Sequence, residues 1–204
     1  ASLWGPDAEA EAAVRLGWTD FEGNALALIP DVENLREEFA AAGIDRFVLC
    51  GMGGSSLAPL VIAPGLTVID STHPEAVREA LGGDLTRTAV ILSSKSGSTV
   101  EVLNLHDAFA EAFSAVGIEA ASRFVFVTDP GSPFESMAKR SGSRCFLADP
   151  TVGGRFSALT AYGIVPSVLA GEDFYPLVKD AATARESLSR DDLDNPALIF
   201  AAAI

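Results

Sequence analysis

A three-layer α/β sandwich on a five-stranded parallel sheet is the architecture expected of this chain, and two features lead there. Short apolar runs recur at Arg46–Cys50, Leu66–Asp70, Thr88–Leu92, Arg123–Thr128 and Cys145–Ala148, and helical spacing follows each. Near-continuous apolar strands alternating with helices imply parallel strands covered on both faces. With 204 residues, 49% of them hydrophobic, the chain suits one full core with helical extensions better than two domains.

Taken in order, Ala8–Leu16 and Val32–Ala42 carry Ala, Val, Leu and Phe at helical spacing, the second opened by Asp31 and closed by Gly43. They form a leading helical segment, residues 1–44. The strand at Arg46 runs into Gly51-Met52-Gly53-Gly54-Ser55-Ser56 and a helix to Ile62. Helices are then expected at Pro74–Leu81, Thr99–Val116, Pro133–Ser141 and from about Ser157 to Ala170, closing a unit at 45–171. Phe174–Ser189 and Asn195–Ile204 extend it as residues 172–204. The last segment, A-L-I-F-A-A-A-I, offers a sticky face, and the expectation is a longer natural protein.

A formal net charge of −14, from 28 acids and 14 bases, disfavours non-specific binding to nucleic acid or an anionic membrane. A local anion site remains compatible, because charges more than about 8 Å away are largely screened at physiological salt. Cys50 and Cys145 fall on strands, where thiols pack as small apolar groups, so both read as reduced and structural. There is no signal-peptide pattern and no apolar run near ~18 residues. The expected location is cytoplasmic. Two scattered histidines and two strand cysteines make no metal-ligand spacing.

The chemistry concentrates at the carboxyl ends of the strands, where open α/β sheets bind ligands. Ile91–Glu101, I-L-S-S-K-S-G-S-T-V-E, passes from a buried strand through hydroxyls, a lysine and a glycine into a helix. That is the layout of a phosphate cup: free amides at a helix start carry roughly +0.5 charge. Ser94, Ser96, Ser98 and Thr99 add hydroxyl donors and Lys95 a point charge. The plainer reading is an ordinary N-cap, which needs fewer such residues. Gly51-Met52-Gly53 with Gly54-Ser55-Ser56 nearly matches a dinucleotide fingerprint, with Asp70 ending the next strand, but Ser56 replaces its third glycine. No Walker lysine loop occurs, which argues against ATP or GTP hydrolysis. After Asp149, Gly153 and Gly154 leave room for a turn to aim Arg155. That guanidinium could stabilise developing negative charge or make a structural salt bridge.

Together, G-M-G-G-S-S, S-K-S-G-S-T-x-E and V-G-G-R-F-S, in this order over Arg46–Gly171, resemble the glucose-6-phosphate isomerase family, built from flavodoxin-like sugar isomerase (SIS) domains. The bacterial form fused behind a transaldolase is the nearest likeness. The resemblance implies interconversion of glucose 6-phosphate and fructose 6-phosphate through an enediolate, without a cofactor, in a homodimeric full-length protein. It assigns the phosphate to Ser94, Lys95, Ser96 and Thr99, the sugar to Gly54 and Ser55, and enediolate stabilisation to Arg155 in the Gly153-Gly154 turn. Glu101 takes a positioning role. Ser96 stands where many members have threonine and Gly97 where a bulkier residue is expected, both keeping the cup.

The resemblance puts the base glutamate, a histidine and a second lysine beyond Ile204, so this chain is expected to hold half a site and to be inactive alone. His73, in S-T-H-P-E, reads as a turn and helix start, and His106 as an amphipathic or core histidine. Asp129, Asp149 and Glu135 read as turn and cap residues, and Glu101 as serving the helix dipole or fixing Lys95. Two other functions stay open: a non-catalytic phosphosugar-sensing SIS module and a dinucleotide-dependent oxidoreductase.

Overall fold

The computed structural model describes residues 6–204. The elements run α1 (Pro6–Ala13), α2 (Glu22–Ala41), β1 (Arg46–Gly51), α3 (Leu57–Ile62), β2 (Thr67–Ile69), α4 (Pro74–Leu81), β3 (Thr88–Ser93) and α5 (Val100–Ala115). They continue with β4 (Phe124–Thr128), α6 (Pro133–Ser141), β5 (Arg144–Leu147), α7 (Ala161–Ala170), α8 (Tyr175–Leu188) and α9 (Pro196–Ala203). All five expected strands are present. They form one parallel sheet in the order β2-β1-β3-β4-β5, which is the flavodoxin-like order.

Alternating strand residues point to opposite faces, and both faces are covered. Phe47, Leu49, Ala89, Ile91, Val125 and Val127 pack beneath α2, α3, α7 and the start of α8. Val48, Cys50, Val90, Leu92, Phe124 and Phe126 pack beneath α4, α5 and α6, with Phe109, Phe113 and Phe134 filling the layer. Every residue of β3 is buried, which accounts for its unbroken apolar run. Helix α7 is buried at every position except its last, sandwiched between the sheet and α2.

Three helical expectations need correction. The second helix begins at Glu22, not after Asp31, and runs straight through Pro30. Phe21, Ala25, Ile29, Val32, Leu35 and Phe39 form one buried stripe along it. Pro30 lies on the exposed face, so the carbonyl that loses its amide partner, at the exposed Leu26, faces water and costs little. The first helix ends at Ala13, followed by a 3₁₀ turn at Gly17–Thr19, instead of reaching Leu16. The helix expected from Ser157 is a 3₁₀ segment, Gly154–Leu159, and the α-helix starts at Ala161 with Thr160 as its cap. At the far end, Leu198, Ile199 and Phe200 of α9 are exposed. No helix among the described residues is long and apolar enough to cross a membrane.

Candidate functional site

The sheet order reverses between β1 and β3, so the crevice outside their carboxyl ends is where a ligand is expected. Gly51 pairs in register with Ser93, which starts the loops 51–56 and 94–99 side by side.

The second of these loops is closed by its own hydroxyls. Ser94 Oγ lies 2.8 Å from Thr99 Oγ1 and accepts the Gly97 amide at 3.1 Å. Ser96 Oγ accepts from the Ser98 amide at 3.2 Å and its hydroxyl at 3.1 Å. Thr99 is the N-cap of α5, yet no side chain caps the helix there. Its first-turn amides therefore face the loop without the partner a cap would supply, which is the arrangement an anion completes. Glu101 lies in that first turn. Gly97 has φ of +63°, and a Cβ there would sit 2.8 Å from the Phe134 backbone nitrogen and 2.9 Å from Ser132 Cβ. A bulkier residue does not fit, so glycine at position 97 is a requirement of this loop as it is built.

The Gly-Gly-Arg turn reaches the same place from far away. Strand β5 lies three strand spacings from β1, about 14 Å at ~4.8 Å each, so residues 149–157 must cross the sheet edge to meet the first loop. They do meet it: a Cβ on Gly54 would fall 2.3 Å from Gly154 O, and Ser157 Oγ donates to Gly54 O at 3.1 Å. Gly54 is thus a glycine because another backbone lies against it. Ser55 is buried beside this contact. Arg155 is exposed and makes no ion pair with a described residue; its guanidinium lies 6.0 Å from the centroid of its neighbour Phe156, which stacks on Trp18 at 5.4 Å. The salt-bridge alternative for Arg155 has no partner among the described residues.

Lys95 holds a different place from the one its spacing suggests. Its ammonium donates to Asp129 Oδ2 at 2.6 Å and lies 3.5 Å from Pro150 O, and Glu101 takes no part in holding it. Asp129, read above as a turn residue, also accepts from the Tyr162 hydroxyl at 2.8 Å. Its side chain is 15% exposed. Burial, then the hydrogen bond to Asp129, pushes the Tyr162 phenol far above its usual range, so it remains a donor. Neither Asp129 nor Tyr162 carries a sequence signal for this role, since Asp-Pro-Gly is an ordinary turn and Tyr162 sits in an apolar helix.

The other polar candidates are structural. His73 caps α4 by accepting the Glu75 amide, and His106 packs on Phe124. Asp149 closes a turn onto Thr151, and Glu135 accepts from the Gly131 amide and Lys139. No group of three or more His, Cys, Asp or Glu among the described residues could hold a metal. A groove of about 450 Å³ between α2, the end of β5 and α7 is lined by Asp20, Asp31 and Asp149, whose carboxylates repel a phosphate.

No family model matches the chain. It is 34% identical over 191 residues to a glucose-6-phosphate isomerase of Thermus thermophilus, covering 87% of this chain and 44% of that protein. A solved protein of the same organism, described as hypothetical, superposes with a TM-score of 0.79 at 33% identity over 90% of this chain and 46% of its own. A glucose-6-phosphate isomerase from Chlamydia trachomatis superposes with a TM-score of 0.70 at 29% identity, over 81% and 33% of the two chains. The chain thus spans less than half the length of each of these relatives.

Proposed function

We propose that this chain, similar to glucose-6-phosphate isomerases in sequence and structure, forms the phosphate- and enediolate-binding part of an aldose–ketose isomerase site for glucose 6-phosphate and fructose 6-phosphate. One observation carries the reading: three loops far apart in sequence converge on the β1/β3 crevice, one starting an uncapped helix and one bearing an arginine with no ion partner among the described residues.

In this reading the phosphate sits on the first-turn amides of α5 and the hydroxyls of Ser94, Ser96 and Thr99, with the Lys95 backbone lining the cup. Glu101 steadies that helix start. Gly54 and Ser55 border the sugar. Moving the carbonyl between C1 and C2 passes through an enediolate whose oxygen gains negative charge, and Arg155, held by the Gly153-Gly154 turn, is the cation that strengthens its interaction there. The chemistry needs no cofactor. The proton shuttle and ring-opening acid come from outside this set, since His73 and His106 are engaged elsewhere. A homodimeric full-length protein of the transaldolase-fused subtype, working in the cytoplasm with residues 45–171 as its SIS unit, is the finer form of the proposal.

An amide NMR titration with fructose 6-phosphate, and separately with NAD, tests it. Saturable shifts at 96–102 with the sugar phosphate, lost in a Ser96→Ala/Thr99→Val variant, are expected. Shifts confined to 51–56 and Asp70 with NAD alone would replace the isomerase reading by a dinucleotide fold.

A further inference from the structure

The lysine of the phosphate loop has its charge already matched. Lys95 meets a carboxylate that is largely shielded from water, and that carboxylate is held in turn by a buried phenol. Asp129 also grips the same residue through its backbone, its amide donating to Lys95 O at 3.4 Å. The neighbouring Thr128 hydroxyl lies 2.7 Å from Ser94 O. Releasing the ammonium toward a phosphate would leave Asp129 charged and shielded with one donor, an unfavourable exchange. Tyr162 is in the first turn of α7, directly after the 3₁₀ segment that carries Arg155.

We propose that Asp129 and Tyr162 are positioning residues that keep the Lys95 ammonium behind the phosphate loop and tie that loop to the turn bearing Arg155. The inference rests on the phosphate-cup reading above and deepens it. Lys95 then serves the phosphate by fixing the loop, and the strap Lys95–Asp129–Tyr162 transmits occupancy of the cup to the Gly153–Arg155 turn.

The experiment is an amide NMR titration of this chain with inorganic phosphate, which fills only the cup, in the wild type, Tyr162→Phe and Asp129→Asn. In the wild type, shifts are expected at 96–102 and also at 153–155. In Tyr162→Phe, phosphate affinity should stay within about fivefold, the scale of one lost hydrogen bond, while the response at 153–155 disappears. Asp129→Asn should lose that response too; if it does not fold, Tyr162→Phe alone decides. A response at 153–155 that survives Tyr162→Phe overturns the strap, as does a wild type whose cup shifts without its turn. No shift at 96–102 in the wild type would instead sink the phosphate reading, and the strap with it.

Discussion

Replacing Gly97 by alanine separates backbone strain from steric conflict in the phosphate loop when Gly117→Ala is measured beside it. Both glycines have positive φ, +63° and +75°. A left-handed backbone costs an L residue about 1–2 kcal/mol, of which alanine recovers about 0.4–1 by narrowing the unfolded ensemble. Gly117→Ala, whose new Cβ has nothing within 4 Å, should show only that difference. Its net loss is roughly 0.5–1 kcal/mol. At Gly97 the Cβ also meets the Phe134 nitrogen at 2.8 Å, and Phe134 is fully buried while Ser132 caps α6, so neither yields easily. Overpacking of this kind adds about 1–3 kcal/mol, for a total of about 1.5–4. At ~2–4 °C per kcal/mol for a chain of this size, Tm should fall by roughly 3–16 °C for Gly97→Ala against roughly 1–4 °C for the control. Differential scanning calorimetry reads both. Equal losses would refute the idea that the loop is clamped rigidly against α6.

Two further outcomes follow from protonation. The Lys139 hydrogen bond, then the Gly131 amide, hold the Glu135 carboxyl below its usual range. Because the folded pKa is depressed, this stabilisation is complete above the ordinary carboxylate pKa and is lost as pH falls through the folded value; acid unfolding should be less steep in Glu135→Gln, and superimposable curves would contradict this. Burial drives the Cys50 thiol far up, and burial followed by Glu135 raises the half-buried Cys145. A disulfide reagent at mildly alkaline pH should therefore label Cys145 first and Cys50 only as the fold opens, whereas equal native rates would mean that the Cys50 layer is not closed.

The elements most legible in the sequence were those with chemistry at their own ends. Helices 74–81 and 133–141 match to the residue because His73 and Ser132 cap them, prolines follow the caps, and Gly142 at φ +77° stops the second. The strands were legible because a sheet covered on both faces demands unbroken apolar runs. Helix α2 was not, because Asp31, read as its opening residue, lies inside a longer helix whose buried stripe exists only once α7 and the sheet lie beneath it.

The same division runs through the site. Sequence alone determined the loop chemistry: hydroxyls around a helix start, paired glycines, an arginine after a tight turn, each legible within a few consecutive residues. Tertiary structure alone decided which atoms meet. Gly54 rests on Gly154, and Asp129 binds Lys95 and Tyr162, across separations of 34 and 33 residues. No periodicity or motif encodes contacts of that kind, because they are set by the order in which parallel strands are laid side by side, and that order depends on the packing of the whole chain.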